Sequence, residues 1–191
     1  MKFTFTSLED VVLCEPIIYE DDRGYFSEIF RQDKLEDFIG YKLNFIQENE
    51  SKSKRGVVRG LHYQLPPFAQ AKLTRVVQGS ILDIAVDIRK NSATFGKYIA
   101  IELSSDNMQQ LYVPRGFAHG FIALEDDTRV LYKTDNYYNK SYERGIFYKD
   151  PKINIDWKLD SKELILSVKD TLQPQLAEVV DLFEDGTNYY D

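Results

Sequence analysis

The chain carries two imidazoles, His62 and His119, in 191 residues, and each lies where a titrating ring could do chemistry near neutral pH. His62 closes the run Gly56-Val-Val-Arg-Gly-Leu-His-Tyr-Gln64, and His119 the run Val113-Pro-Arg-Gly-Phe-Ala-His-Gly-Phe121. A histidine in an apolar strand is most often simply packed, so its neighbours decide. Arg59 precedes His62 by three residues and Lys72 follows it by ten. Cations turned toward an interior are costly without partners, so together they imply an anionic ligand, whereas either alone would ordinarily face solvent. The set fits acid–base chemistry better than metal binding. Two imidazoles with scattered carboxylates, and Gln64 where a second strand histidine would stand, make a poor preformed zinc or iron site.

Other residues add binding chemistry. Asp22-Arg23-Gly-Tyr-Phe26-Ser-Glu28 joins a guanidinium, aromatic rings and a carboxylate, a mix able to grip phosphate, stack on a base and accept from its N–H. A hairpin turn with surface charges would read the same way. Gln47 and Asn49 share one face of a strand and offer amide contacts to sugar or phosphate oxygens. Tyr132, Lys133, Tyr137 and Tyr138 cluster late in the chain, and a well-placed phenol can donate a proton.

The elements that must position these groups are mostly strands. Alternating apolar segments predict strands over Lys2–Thr6, Tyr25–Phe30, Asn44–Asn49, Val57–Gln64, Leu73–Gln78, Ile81–Arg89, Tyr98–Leu103, Gln109–Val113, Phe117–Leu124 and Arg129–Lys133. Turn residues at Gln78-Gly-Ser80, Ser104–Asn107 and Glu125–Asp127 separate several of them. Many short strands argue for a sandwich or barrel of jelly-roll type. Strict alternation puts Arg59 and His62 on opposite faces, so if both line one cavity the strand must bulge near Gly60. Short helices are expected over Asp33–Ile39, ending at Gly40, then over Leu164–Val168 behind a capping box at Asp160–Glu163, and over Ala177–Phe183. The expected architecture is mainly β: an antiparallel jelly-roll barrel with a few short helices, mostly C-terminal.

Composition bounds the rest. Nothing divides the chain, so residues 1–191 read as one domain. A net charge of −7 leaves no basic footprint for nucleic acid. No apolar run approaches the roughly 20 residues of a membrane helix. The single Cys14 cannot form an intrachain disulfide, and the start MKFTFTSLED is no secretory signal, so the expectation is a soluble cytoplasmic protein. The 13 Tyr and 12 Phe favour strands and ring-stacking surfaces.

Taken together, Gln47-x-Asn49, Gly56–Gln64, Lys72, Asp83-x-Ala-Val-Asp-Ile-Arg89, Pro114–Phe121, Tyr132-Lys133, Asp150-Pro151 and Leu166-Ser-Val-Lys-Asp170 resemble, in this order, the dTDP-4-dehydrorhamnose 3,5-epimerases. The resemblance spans nearly the whole chain. It implies a metal-free, cofactor-free, cupin-like barrel, a homodimer exchanging an N-terminal strand, and a nucleotide-sugar substrate inverted at the carbons flanking its C4 ketone. It implies His62 as base with Asp170 on its other ring nitrogen, Lys72 against the developing oxyanion, and Tyr132 or Tyr138 as the acid on the opposite face. It further implies Arg59 and His119 on sugar and phosphate, Gln47, Glu48 and Asn49 at the sugar, and Glu143 and Lys169 near the nucleotide. Arg23, Phe26 and Glu28 would reach the nucleotide across the dimer interface. A C3-only or C5-only epimerase would need the same residues, and a catalytically silent nucleotide-sugar-binding barrel would not need the complete acid–base set.

Overall fold

A computed structural model describes residues 1–190. The strands are β1 (Lys2–Phe5), β2 (Val12–Glu15), β3 (Ile18–Asp21), β4 (Gly24–Ser27), β5 (Gln47–Ser53), β6 (Val58–Gln64), β7 (Lys72–Gln78), β8 (Ser80–Asp87), β9 (Arg89–Lys90), β10 (Tyr98–Ser104), β11 (Gln110–Val113), β12 (Phe117–Ala123), β13 (Thr128–Thr134), β14 (Glu143–Gly145) and β15 (Phe183–Glu184). The helices are α1 (Gln32–Ile39) and α2 (Val168–Thr171). One antiparallel sheet runs β1-β2-β11-β7-β13-β5 and the other β10-β8-β12-β6-β14. Most consecutive strands from β5 to β14 alternate between the sheets, as in a jelly roll. The turns at Gly79 and Asp126 carry the chain across the corner rather than into a hairpin within one sheet. The fold is therefore mainly β and cupin-like, as expected, but the sheets keep separate edges and form an open sandwich rather than a closed barrel.

Side-chain alternation divides the interior into layers. Ile81 and Ala85 of β8 point between the sheets and pack with Val76, Leu111, Phe117, Phe121 and Val130. Leu82, Ile84 and Val86 point the other way, where Ile146, Ile153, Trp157 and Phe183 of the C-terminal segment cover them. The outer face of the first sheet, with Leu73 and Tyr112, is covered by Leu35 of α1 and by Leu43. Each large side chain buried in these layers contributes about 1.5–3 kcal/mol. By the same alternation Lys72, Asp83, His119 and Tyr132 share the inter-sheet face with that central cluster, so the apolar layer gives way to a polar cleft.

The strand carrying His62 departs from regular alternation where expected. His119 pairs with His62 and Phe121 with Arg59, so three steps along β6 oppose two along β12. Gly60 sits in this bulge at φ 139°, and a Cβ built there would lie 2.5 Å from the Cα of Gly120. Only a residue without a side chain fits. The extra residue turns Arg59 and His62 onto one face, toward the cleft.

Two helical expectations are corrected. The capping box is real, with Glu163 accepting from the Asp160 N–H at 3.0 Å, but it caps a single 3-10 turn over Ser161–Glu163. Beyond it the chain is extended because β6 recruits it: Ile165 donates to the Gly56 carbonyl and accepts from the Val58 N–H. At the C-terminus, a 3-10 turn over Leu176–Glu178 is followed by β15, parallel to β9. Tertiary pairing overrides the weak helical pattern at both places. The helix ending at Gly40 is present, its cap left-handed at φ 85°.

Gly60→Ala is expected to destabilise the fold by about 3 kcal/mol in urea unfolding. An unchanged unfolding midpoint would show that the bulge tolerates a side chain.

Candidate active site

Between the sheets, Arg59, His62, Lys72, His119, Tyr132, Lys169 and Asp170 line a cavity of about 430 Å³. Next to it Gln47, Asn49, Gln64, Tyr138 and Glu143 line a second of about 250 Å³. His62, Lys72 and Tyr132 belong to both, so the two form one cleft with these three side chains at the junction.

Each side chain has a local reason for its place. Asp170 lies in α2, whose N-cap Ser167 accepts from the Asp170 N–H at 3.1 Å and donates to its carboxylate at 2.9 Å. So braced, Asp170 meets His62 Nε2 at 2.6 Å. Burial pushes its carboxyl up, but the bond to His62, the imidazole charge and Ser167 outweigh this and leave it below the usual carboxylate range. With Nε2 taken up by Asp170, Nδ1 is the ring nitrogen left for the cleft. His119, beside His62 across the ladder, bonds through Nε2 to the wholly buried Asp83 at 2.8 Å.

Lys72 opens β7 at the cleft floor. Part of the residue is open to the cleft, yet protein crowds its ammonium. Loss of hydration pulls it down to about 8, against the charges of Asp83 and Glu143, which raise it. Burial pushes the Tyr132 phenol up and Glu143 adds to this, with Arg59 opposing, so the ring is protonated at neutral pH. Glu143 accepts from the Tyr138 O–H at 2.9 Å and pairs with Lys169 at 2.5 Å. Burial opposes its ionisation, but those two partners prevail and its carboxyl lies low. Arg59 is braced by Ser53 at 3.1 Å, and Gln47 donates to Asn49 at 2.9 Å.

The structure thus brings His62, Asp170, Lys72, Tyr132, Tyr138, Arg59, His119, Gln47, Asn49, Glu143 and Lys169 to one cleft. It does not bring four others there. Glu48 alternates outward and pairs with Lys133 at 2.9 Å. Arg23 binds Asp21 on the β3–β4 hairpin, Phe26 of the same hairpin is 70% exposed, and Glu28 pairs with Arg31 and Lys34. Sequence reasoning passed over Ser51, Ser167 and Asp83 as site residues. The period-two continuation of Gln47 and Asn49 marks Ser51, the Ser-x-x-Asp spacing marks Ser167, and a lone carboxylate among Ile81, Ile84 and Ala85 marks Asp83.

A cupin-like sandwich whose cleft joins an imidazole–carboxylate pair, a depressed lysine and a buried phenol defines an acid–base enzyme. No group of three His, Cys, Asp or Glu side chains placed to hold a metal occurs among the described residues. The family model for dTDP-4-dehydrorhamnose 3,5-epimerase matches residues 5–178, and the chain belongs to that family of isomerases. It is 50% identical to the dTDP-4-dehydrorhamnose 3,5-epimerase of Shigella flexneri over 170 residues, covering 89% of this chain and 93% of the relative. It superposes with a TM-score of 0.92 on the dTDP-6-deoxy-D-glucose-3,5-epimerase of Legionella pneumophila in complex with dTDP-4-keto-L-rhamnose, at 38% identity over 97% of this chain and 99% of that one. ChmJ, a 3'-monoepimerase from Streptomyces bikiniensis in complex with dTDP-quinovose, is similar at 33% identity and TM-score 0.85, covering 91% of this chain and 87% of that one.

Proposed function

We propose that the chain, acting as one domain in the cytoplasm, inverts C3 and C5 of dTDP-4-dehydro-6-deoxy-D-glucose to give dTDP-4-dehydro-L-rhamnose. The observation that carries this reading is the His62–Asp170 pair opening onto the same cleft as Lys72 and Tyr132, in a chain that matches the epimerase family over most of its length.

The C4 ketone acidifies the hydrogens on both neighbouring carbons. His62 Nδ1 takes one of them, and Asp170 stabilises the imidazolium that results. Charge moves onto the C4 oxygen, where the Lys72 ammonium in a largely dry site is worth on the order of ~3 kcal/mol. Return of a proton from the opposite face inverts the carbon. The imidazolium then yields its proton to solvent and the donor regains one from it, and repetition at the second carbon completes the reaction. Tyr132 is the donor: its phenol is protonated and makes no side-chain hydrogen bond among the described residues. Tyr138, whose hydroxyl is committed to Glu143, positions the substrate. Arg59, His119 and Lys169 supply donors for the diphosphate and sugar, with Gln47 and Asn49 at the sugar.

Resemblance to the Streptomyces 3'-monoepimerase favours inversion at one carbon as the second reading, because the same groups serve either outcome. Proton NMR of the product formed from dTDP-4-dehydro-6-deoxy-D-glucose separates them. Ring couplings showing inversion at both C3 and C5 are expected; inversion at one carbon gives the monoepimerase, and unchanged substrate removes the proposal.

The active form is a homodimer in which the β3–β4 hairpin reaches the partner's cleft. This hairpin pairs with neither main sheet and exposes Tyr19, Tyr25 and Phe26, at 60%, 64% and 70%. Apolar rings so placed call for a covering surface, and Arg23 offers a cation for phosphate. Co-expressed His62→Ala and Arg23→Ala chains are expected to form mixed dimers with one intact site and measurable activity, although each variant alone is impaired. No recovery in the mixed dimers would refute the shared site.

A further inference from the structure

Three buried side-chain oxygens lack a hydrogen-bond partner among the described residues: Ser51 Oγ, Thr74 Oγ1 and Asp83 Oδ2. All three side chains face the inter-sheet space, and Ser51 lines the cleft itself. Leaving a buried acceptor unsatisfied costs about 1–3 kcal/mol, more for a charge, so such groups need an account. Asp83 is the extreme case, a carboxylate with no exposed surface in a strand buried along its whole length. One oxygen, Oδ1, bonds His119 Nε2 at 2.8 Å. The other faces no donor, yet the buried ammonium of Lys72 feels Asp83 more strongly than any other charge.

We propose that Asp83 is a positioning residue for the epimerisation: one carboxylate oxygen orients His119 in the cleft and the other provides the fixed counter-charge for Lys72. This rests on the proposed function. Lys72 must be cationic to stabilise an enolate oxygen, but an unpaired ammonium on this floor tends to lose its proton. A carboxylate in direct contact would hold the proton and also spend the positive charge in a closed ion pair. Set back, and unable to move because His119 anchors it, Asp83 keeps Lys72 charged while leaving its N–H donors free. Anchored to Asp83 through Nε2, His119 turns Nδ1 toward the ligand.

The charged and titratable groups around Lys72 are Arg59, His62 and Tyr63 on β6, Asp83 on β8, His119 on β12, Tyr132 on β13 and Glu143 on β14. Tyr138 lies in the following loop, and Lys169 and Asp170 lie in α2. Glu143 is the other carboxylate acting on Lys72, but its oxygens are taken by Tyr138 and Lys169. Asp170 is taken by His62 and Ser167. Of these three carboxylates Asp83 alone has an oxygen uncommitted.

The test compares turnover against pH for the wild type, Asp83→Asn and Asp83→Glu. The alkaline limb of the wild type is expected near pH 8. In Asp83→Asn it moves down by about one pH unit, and turnover at pH 7.5 falls about threefold. Asp83→Glu keeps the wild-type limb at reduced turnover. A uniform loss in Asp83→Asn with the limb unmoved would mean a purely structural role and overturn the proposal. A wild type without epimerase activity would instead overturn the proposed function. Carbon NMR of the wild-type protein is independent of how the variants fold. The Asp83 carboxyl carbon is expected to show an inflection near pH 8 as Lys72 titrates, and its absence would also overturn the proposal.

Discussion

The close approach of β6 to β12 at Gly60 and Gly120 is the constraint on which the site depends. With backbone 2.5 Å from where a Cβ would stand, the two strands meet at a distance only glycine allows, and the extra residue of the bulge is accommodated there. Without it, a period of two would send Arg59 to one face and His62 to the other. With it, both enter the space between the sheets, and β6 is carried to where α2 can present Asp170. The same stretch recruits Ile165 as a bridge, which fixes the segment leading to Ser167 and Asp170. One local irregularity thus positions both halves of the imidazole–carboxylate pair from residues 108 apart in sequence.

Around that pair the sandwich sorts charge by depth. Carboxylates that are bonded twice or more, Asp170 and Glu143, stay ionised despite burial. The ammonium of Lys72, given no bonded partner, is held near its titration point. A cation so placed is poised to respond to negative charge appearing on a substrate oxygen, which is how a fixed group favours a transition state over a ground state. The chain as a whole is acidic, yet the cleft gathers the cations Arg59, Lys72 and Lys169.

Much of this was legible in the sequence, unevenly. Strands β6, β8, β10, β12 and β13 follow their hydrophobic alternation closely, because each buries at least one face in the apolar layers. The bulge at Gly60 was legible too, from the conflict between spacing and function. Strand β14 was not: Glu-Arg-Gly has no apolar pattern and becomes a strand only by pairing with Tyr63 and its neighbours on β6. Strand β15 was likewise hidden, since Phe183 takes its place from packing on Tyr63 and Tyr189 rather than from local propensity. In the site, the histidines, Lys72 and Tyr132 stood out by type and spacing. Asp83 did not, because one acid in an apolar strand reads as an exception until His119 is seen bonded to it.

The most direct test of the account is deuterium wash-in to dTDP-4-dehydro-6-deoxy-D-glucose in heavy water, followed by NMR for the wild type, His62→Ala and Tyr132→Phe. One base on one face of the sugar and a phenol on the other predict deuterium at C3 and C5 with inversion in the wild type. They predict no exchange in His62→Ala, and exchange without inversion in Tyr132→Phe. Exchange at wild-type rate in His62→Ala would contradict the central claim.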